Sequence, residues 1–552
     1  MTYNNEYIAA QFSLLSRLMD IHNENSFRSK TYSNAAFVID KLPVELTDMS
    51  LAEITVIKGI GDTVAKKIAE IQASGTLEAL QKLANKTPSG IFEMMQIKGL
   101  GPKKIATIWK EMEIESLGEL LYACHENRLQ MYKGFGEKTQ QQVIESIEFY
   151  FKNQGSYLYA EVESLVDLLQ QMFTENFPHN KFSTTGSFRR QDIVITSLEW
   201  VTDLSETVLH AFLEERGFRR LNDNSFVHNN QVNISFHFTT SEEFGSKLFT
   251  TTGCNEFVKS FESKYGKIMP TENESLIFQK ASLPFIHPCR REYSNLDILI
   301  GVKELIAPIN IKGIIHCHSK WSDGSHSLRQ MAESAKSQGF EYLVISDHSQ
   351  SAFYANGLKP DRIRAQQDEI DELNKELAPF FIFKSIECDI LNDGSLDYSD
   401  DILSSFDCII ASVHSHLKMT EEKAMTRLLG AIQNKHTTIL GHATGRLLLS
   451  RQGYPVDHKV LIDACAAHQV AIEINAHPRR LDIDWKWIPY CLEKNVLLSI
   501  NPDAHHIDGF QDIKYGVLAA QKGGLTSKQN LSSFSLSQFT AFIEQQKIKR
   551  NG

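Results

Sequence analysis

The sequence predicts a multidomain α/β protein: a helical front, a mixed α+β middle and a carboxy-terminal parallel α/β barrel or sheet. Three observations predict it. Up to about residue 155, apolar residues recur at three-four spacing, the period of amphipathic helices. From Gly313 onward, apolar strand-like runs (GIIHCH, YLVISDH, FIFKSIECD, CIIASVHSH, TTILGH, VAIEINAHP, VLLSINPDAHH) alternate with helical segments. Strand-helix alternation at that spacing belongs to parallel α/β architecture. Finally, 13 of the 20 histidines fall between His316 and His506, so that segment needs its own chemical explanation.

A chain of 552 residues is too long for one hydrophobic core. The pattern divides it at 1–85, 86–155, 156–240, 241–305 and 306–552, with Glu304 to Asn310 expected as a linker into the last segment. Hydrophobic content of 42% and charged content of 23% are those of soluble globular protein. The net charge of -11 argues against coating nucleic acid by bulk attraction. Any such contact must use local basic patches or backbone amides. The amino terminus lacks a basic-then-apolar leader, no apolar run reaches membrane-spanning length, and the eight cysteines form no C-x-x-C pair. A cytoplasmic monomer without a membrane partner is the expectation.

In the front, one phrase occurs three times: Ile57-Lys-Gly59-Ile-Gly61, Ile97-Lys-Gly99-Leu-Gly101 and Tyr132-Lys-Gly134-Phe-Gly136, each between helical stretches. It resembles the helix-hairpin-helix. There two glycines turn the chain so that backbone N–H groups at a helix start face a DNA phosphate. The resemblance implies sequence-independent DNA binding by Gly59, Gly61, Gly99, Gly101, Gly134 and Gly136, helped by Lys66, Lys67, Lys103, Lys104 and Lys138.

In a parallel barrel, functional groups gather where strands end, because those ends converge on one mouth. Each of seven expected strands ends in a ligand-capable residue: His316 and His318, His348, Glu387, His414, His442, His477, then Asp503 and His505, with Asp323 just after the first pair. Imidazole and carboxylate suit Zn²⁺, Mn²⁺ or Fe²⁺. In H-x-H both imidazoles are expected to point the same way along an extended strand. A lone histidine is usually packing; seven strand ends in order are not.

HCHSKWSDG (316–324), SDHS (346–349), ECD (387–389), SVHS (412–415), GH (441–442) and PDAHH (502–506) resemble the successive motifs of the PHP superfamily. The resemblance implies a distorted (β/α)₇ barrel holding up to three divalent ions. Its nine ligand positions fall on His316, His318, Asp323, His348, Glu387, His414, His442, Asp503 and His505. Glu387 is the expected bridging ligand, and Glu387, Asp503 and His505 carry catalysis. Clustered ions activate water and stabilise the leaving oxygen of a phosphate ester. Arg446, Arg479 and Arg480, in loops after two strand ends, are candidates to hold phosphate oxygens.

The middle continues the order. Gly186-Ser-Phe-Arg-Arg190, then a strand, Thr252-Gly253 and LPFIHPCRRE (283–292) resemble the polymerase core of bacterial family X DNA polymerases. That implies a lyase-like domain, fingers, a nucleotidyltransferase-like palm and a thumb ahead of the PHP domain. In that family three aspartates hold Mg²⁺, and here the positions fall on Ser197, Glu199 and Asn233. Neutral serine and asparagine cannot hold Mg²⁺, so a dead polymerase site is expected. Gly186, Ser187 and Arg189 survive at phosphate-holding positions and imply residual nucleotide binding. Lys67 falls where relatives keep a Schiff-base lysine, and phosphate contact is its expected role here.

The reading is a DNA repair protein that grips gapped or 3′-recessed DNA with its front half. Its PHP domain hydrolyses phosphate esters at 3′ ends, as a 3′–5′ exonuclease or 3′-phosphatase. The alternatives are an active family X polymerase with an editing domain, and a small-molecule phosphatase of the histidinol phosphatase type.

Overall fold

A computed structural model describes residues 3–125, 129–152, 155–228, 232–293, 296, 304–449 and 452–551. The chain divides into two compact units, Met1–Gln154 and Gly155–Gly552. Among the described residues no helix is long and apolar enough to cross a membrane.

The first unit is helical, from Asn5–Ile21 to Glu137–Lys152, around a core that includes Phe12, Leu15, Ile68, Ile91 and Ile147. Its three Gly-h-Gly phrases fold alike. Gly59, Gly99 and Gly134 take φ of 98°, 89° and 93°, a left-handed conformation that only glycine adopts freely. In each, the N–H of the apolar residue closes the turn: Ile60 to Ile57 O, Leu100 to Ile97 O and Phe135 to Tyr132 O, at 2.9, 3.2 and 3.1 Å. The apolar residue is buried each time, which anchors the turn to the core. The second glycine then starts the next helix.

The second unit opens with a five-stranded sheet built from β2 (Phe182–Thr185), β4 (Ser197–Thr202), β5 (Arg219–Asn222), β6 (Ser225–Val227) and β7 (Asn233–Phe238), in the order β2-β4-β7-β6-β5. Two short strands, β1 (Tyr157–Leu158) and β3 (Val194–Ile195), pair beside it. The alternating stretch from Asp192 to Leu198 is divided between β3 and β4, and the one that ends at Phe238 is described as a strand from Asn233, Gln231 lying outside the described residues. Helices Phe244–Thr252, Asn255–Tyr265 and Ser275–Lys280 follow around Phe249, Phe257, Phe261 and Phe278.

Seven parallel strands then run in simple order: β8 (Gly313–Cys317), β9 (Tyr342–Ile345), β10 (Phe381–Asp389), β11 (Cys408–Ser412), β12 (Ile439–Leu440), β13 (Ala471–Asn475) and β14 (Leu498–Asn501). The first and last are linked by a parallel bridge, Cys317 to Ala504, so the sheet nearly closes. Its strands are buried on both faces, which is why they read as continuous apolar runs.

The barrel is filled from two ends. Phe539, Phe542 and Ile543 of the last helix, Leu536–Asn551, pack with the inward residues Ile315, Val344, Phe383, Ile410 and Ile439. The mouth is left to polar side chains. The stretch expected as a linker is instead a strap: Ile306 is buried in the barrel core and its N–H donates to Leu525 O at 3.0 Å.

Candidate metal centre

The β8–β9 register shifts between Ile315 and Cys317, and His316 sits in that bulge with φ of 64°. This corrects the expectation of two imidazoles aligned by simple pleat alternation. A bulge re-aims one side chain and twists the strand. It turns His316 Nε2 to 3.3 Å from Glu387 Oε1 and 3.5 Å from Asp503 Oδ1. Asp503, with φ of 53°, is the matching left-handed residue after β14, next to the Cys317–Ala504 bridge. Two non-glycine residues in this region represent strain of about 1–3 kcal/mol each, which the packed surroundings must offset.

All nine expected ligands meet at the mouth. Glu387 is the hub, with His442 Nε2 at 2.8 Å, His414 Nε2 at 3.0 Å, His348 Nδ1 at 3.0 Å and His318 Nε2 at 3.6 Å. Asp503 Oδ1 lies 3.1 Å from His318 Nε2. Asp323 Oδ2 lies 3.6 Å from His348 Nε2 and 3.4 Å from His505 Nε2. The donor atoms of eight of them, His442 apart, form three overlapping groups: His318, Asp323, His348 and His505; His316, His318, Glu387 and Asp503; His348, Glu387 and His414. Glu387 belongs to two of them, as the expected bridging ligand would.

The site is graded in depth. His316, His318, Glu387 and His442 are buried, whereas Asp323 and His505 are 30% and 37% exposed and form the rim. Substrate must enter on the rim side.

Electrostatics here are unsettled without cations. Burial disfavours charge on His318, and the imidazoles of His505 and His348 push the same way, to about 3. Burial also opposes charge on His414 and His505, but Glu387 with Asp389, and Asp323 with Asp503, outweigh it and raise them to about 10 and about 9. His316 Nε2, His318 Nδ1, His348 Nδ1 and Glu387 Oε2 are buried without a hydrogen-bond partner. Buried polar atoms are normally paired. This set of close, unpaired imidazole and carboxylate donors fits divalent ions.

Sequence reasoning missed the carboxylates behind the ring. Glu473, fully buried on β13, lies 2.6 Å from His316 Nδ1 and accepts from Asn501 Nδ2 at 2.8 Å, Asn475 Nδ2 at 2.9 Å and His442 N at 3.1 Å. A carboxylate only accepts, so His316 carries its proton on Nδ1 and aims Nε2 inward. Asp389 does the same for His414 Nδ1 at 2.7 Å. Asp347 accepts from Ser319 N and Ser322 N at 2.8 and 3.1 Å, shaping the loop that carries Asp323. The signal for Glu473 was present: a single acid inside the apolar run V-A-I-E-I-N.

The three expected phosphate arginines separate. Arg446 is spent on its own surroundings, donating to Arg480 O at 3.0 Å, Asp484 Oδ2 at 2.6 Å and Leu481 O. Arg479 pairs with Glu161 at 3.1 Å. Only Arg480 reaches the ring, with Nε 3.7 Å from Asp503 Oδ2. His477 stays in its loop, accepting from Arg479 N at 3.2 Å.

In the middle sheet, parallel pairing sets Ser197 opposite Asn233, and Glu199 shares the Ser197 face of its strand. Glu199 lies 2.8 Å from His237 Nε2. Among the described residues, groups of three or more metal-capable side chains lie at the barrel mouth and none at this sheet.

At the positions expected to hold nucleotide, Arg189 has partners within the protein. Its fork donates to both Glu274 oxygens, at 2.9 and 2.8 Å, and to Thr252 Oγ1 at 2.6 Å. A Cβ on Gly186 would lie 2.4 Å from Glu199 Oε1, so a carboxylate occupies the approach to that glycine. Ser187 Oγ is buried without a partner.

In the front unit, helices Asp62–Ser74 and Pro102–Lys110 begin at Gly61 and Gly101 with no side-chain cap. Nothing lies within 4 Å of a Cβ on Gly61, Gly101 or Gly136. Packing therefore does not demand glycine at these three positions. Lys66, Lys103 and Lys138 are exposed, while Lys67 lies 3.5 Å from Glu70 and Lys104 donates to Gly99 O at 3.1 Å.

Comparison with known proteins agrees with this layout. Residues 3–77 match the helix-hairpin-helix domain, and residues 91–148 match the SAM-like helix-hairpin-helix tandem. "Probable phosphatase YcdX" of Escherichia coli O81 is 30% identical over 173 residues, 29% of this chain and 62% of its own length. A "Probable phosphatase" of Vibrio atlanticus is 28% identical over 208 residues, 36% of this chain and 79% of its own. The "DNA polymerase/3'-5' exonuclease PolX" of Bacillus subtilis is 32% identical over 560 residues, covering 95% of this chain and 97% of its own. With helix-hairpin-helix modules, a polymerase-like middle and a PHP-type barrel in one continuous match, this chain belongs to the PolX family of bacterial DNA polymerase/3'-5' exonucleases.

Proposed function

We propose that this protein hydrolyses phosphate esters at DNA 3′ ends, as a 3′–5′ exonuclease or 3′-phosphatase, and does not polymerise. The observation that carries the reading is the trio of overlapping ligand groups at the barrel mouth, two of them sharing Glu387 and the third joined to them through His318 and His348.

Divalent ions held by His316, His318, Asp323, His348, Glu387, His414, His442, Asp503 and His505 would supply Lewis-acid activation of water and of the phosphate. The chain's own side chains do the rest. Glu473 and Asp389 fix the orientation of His316 and His414. Arg480, beside Asp503 and partly exposed, is placed to neutralise a phosphate oxygen entering over the rim. His505, the most exposed of the nine, is oriented by its Nδ1, 3.0 Å from Asp503 O, so that Nε2 faces Asp323 at the rim.

Loss of polymerisation is supported by charge. Ser197 and Asn233 bring no negative charge to the paired strands, and Arg189 is neutralised by Glu274. The uncapped helix starts at Gly61 and Gly101 support sequence-independent grip on gapped or 3′-recessed DNA. A tethered grip raises the local concentration of 3′ ends at the mouth, which gives the front half a use without polymerisation.

The test is a labelled 3′-recessed duplex and its 3′-phosphorylated counterpart, incubated with Mn²⁺, with and without dNTPs. The wild type should shorten or dephosphorylate the strand, and His316→Ala should do neither. Template-directed lengthening would sink the loss of polymerisation, and an intact 3′ end would sink the hydrolytic reading.

A further inference from the structure

Beside the metal ring lies a cavity of about 840 Å³ that the nine ligands do not line. That size is at the upper end for a small-molecule pocket and suits an extended ligand. Its walls include Asn392, His416, Lys418, Met419 and Lys423, with Arg427 beneath. Asn392 follows Asp389 by three residues on the loop leaving β10, and His416 follows His414 by two on the loop leaving β11. At about 3.3 Å per extended residue, His416 is within roughly 7 Å of the ring along the chain. The cavity therefore continues the mouth of the barrel.

Its floor is built. Arg427 is fully buried and spends its guanidinium on the two loops, donating to Leu391 O at 3.1 Å, Ser415 O at 3.0 Å and Ile390 O. It thereby sets the spacing of the cavity walls. Lys418 and Lys423, by contrast, are exposed and stand in no salt bridge among the described residues, although Lys423 is near enough to Asp393 to help lower that carboxyl. Asp393 on the same loop is turned onto its own chain, accepting from Ser395 Oγ at 2.6 Å and N at 3.0 Å. Glu421 and Glu422, which begin the neighbouring helix, do not line the cavity.

We infer that this cavity is the subsite for the nucleotides that precede the scissile 3′-terminal ester, with Lys418 and Lys423 holding their backbone phosphates. The ligand class is a single-stranded oligonucleotide end, in which every added nucleotide brings one more anionic phosphate. Met419 offers the apolar surface that a base or sugar needs. The inference rests on hydrolysis at the metal ring and adds what a small phosphomonoester cannot use. It also separates this site from a phosphatase of small metabolites, whose substrates would not extend past His414.

The experiment compares the full chain with its Lys418→Glu/Lys423→Glu variant in Mn²⁺, on two substrates. One is the p-nitrophenyl ester of thymidine 5′-phosphate, with no further phosphate; the other is a fluorescein-labelled trithymidylate. The ratio of kcat/KM for trinucleotide over mononucleotide should fall at least about tenfold. The salt dependence for the trinucleotide should become shallower by about 0.7 for each phosphate that the variant no longer neutralises. An equal effect on both substrates would overturn the subsite. Anisotropy of the labelled trinucleotide is read in parallel. Wild type that binds but cleaves neither substrate sinks the exonuclease form of the hydrolytic reading alone, and equal binding by the variant sinks the subsite alone.

Discussion

The barrel mouth and the middle sheet set the same problem, gathering negative charge at the ends of neighbouring strands, and solve it oppositely. At the mouth, Glu387, Asp503, Asp323, Asp389 and Glu473 crowd one space with six imidazoles between them. At the sheet, Ser197 and Asn233 face each other across β4 and β7, and Glu199 turns to His237. The difference teaches that strand geometry is not what makes a cation site. Both places have paired parallel strands with side chains on one face; only one keeps the uncompensated buried charge that makes a divalent ion worth binding.

The largest expected effect comes from removing the hub. Glu387→Gln keeps the shape and deletes the charge shared by two ligand groups. Hydrolysis of a DNA 3′ end should drop by more than about 100-fold, the upper range for loss of a merely supporting partner. A smaller loss, measured at saturating Mn²⁺, would break the contrast between the two regions.

Next is the carboxylate behind the ring. Glu473→Ala frees His316 to rotate and should weaken Mn²⁺ binding about 10–100-fold by calorimetry. Glu473→Gln, which can still accept a bond from His316 Nδ1, should recover part of that. Unchanged affinity in both variants would show that the ring is held by packing instead.

A third effect concerns the joint between the two regions. Lys522, fully buried on the barrel helix Ile513–Gly523, donates to Asp192 at 2.7 Å, Arg190 O at 2.8 Å and Glu292 at 3.2 Å. Arg190 also pairs with Asp192 and Glu292. Lys522→Met leaves two partly buried acids short of a cation and should cost about 1–3 kcal/mol, below the figure for a fully buried pair. Burial alone would raise Glu292, but Lys522, a hydrogen bond with Asp192 and Arg190 outweigh it and pull it to about 2, while burial and the neighbouring Glu292 hold Asp192 above its ordinary value. The contribution of Glu292 is therefore complete above pH 4.5 and lost as pH falls from there toward 2. Thermal melts from pH 7 to 3 should show the variant losing less on acidification than the wild type.

The smallest effect on the fold, and the sharpest on binding, belongs to the front unit, where backbone replaces charge. Gly61 and Gly101 have φ of -94° and -81°, which alanine accepts. Gly61→Ala/Gly101→Ala puts a poor N-cap residue at each helix start and should cost about 1 kcal/mol of stability or less per site. DNA affinity should still fall, because each methyl covers a helix start. Unaltered affinity for gapped DNA would mean that the lysines act alone.

Much of this was legible from sequence for a definite reason. Strand-helix alternation, the thrice-repeated glycine phrase and a ligand type after each apolar run are local patterns, and local patterns report period, turn and residue chemistry directly. Arg446 and Arg189 show the limit. Both looked like anion binders, and both are consumed by acids and carbonyls that are 34 to 85 residues away. Glu473 shows the same limit from the other side, since its partner His316 is 157 residues distant.

The sequence by itself determined the architecture, the order of its parts, and which side chains could hold cations. Tertiary structure alone decided how those side chains aim: the bulge that turns His316, the acids that lock the imidazoles, the terminal helix that fills the barrel floor. The physical reason is that composition and period are properties of a short stretch, whereas the direction of a side chain and the charge it faces depend on partners that only folding brings near.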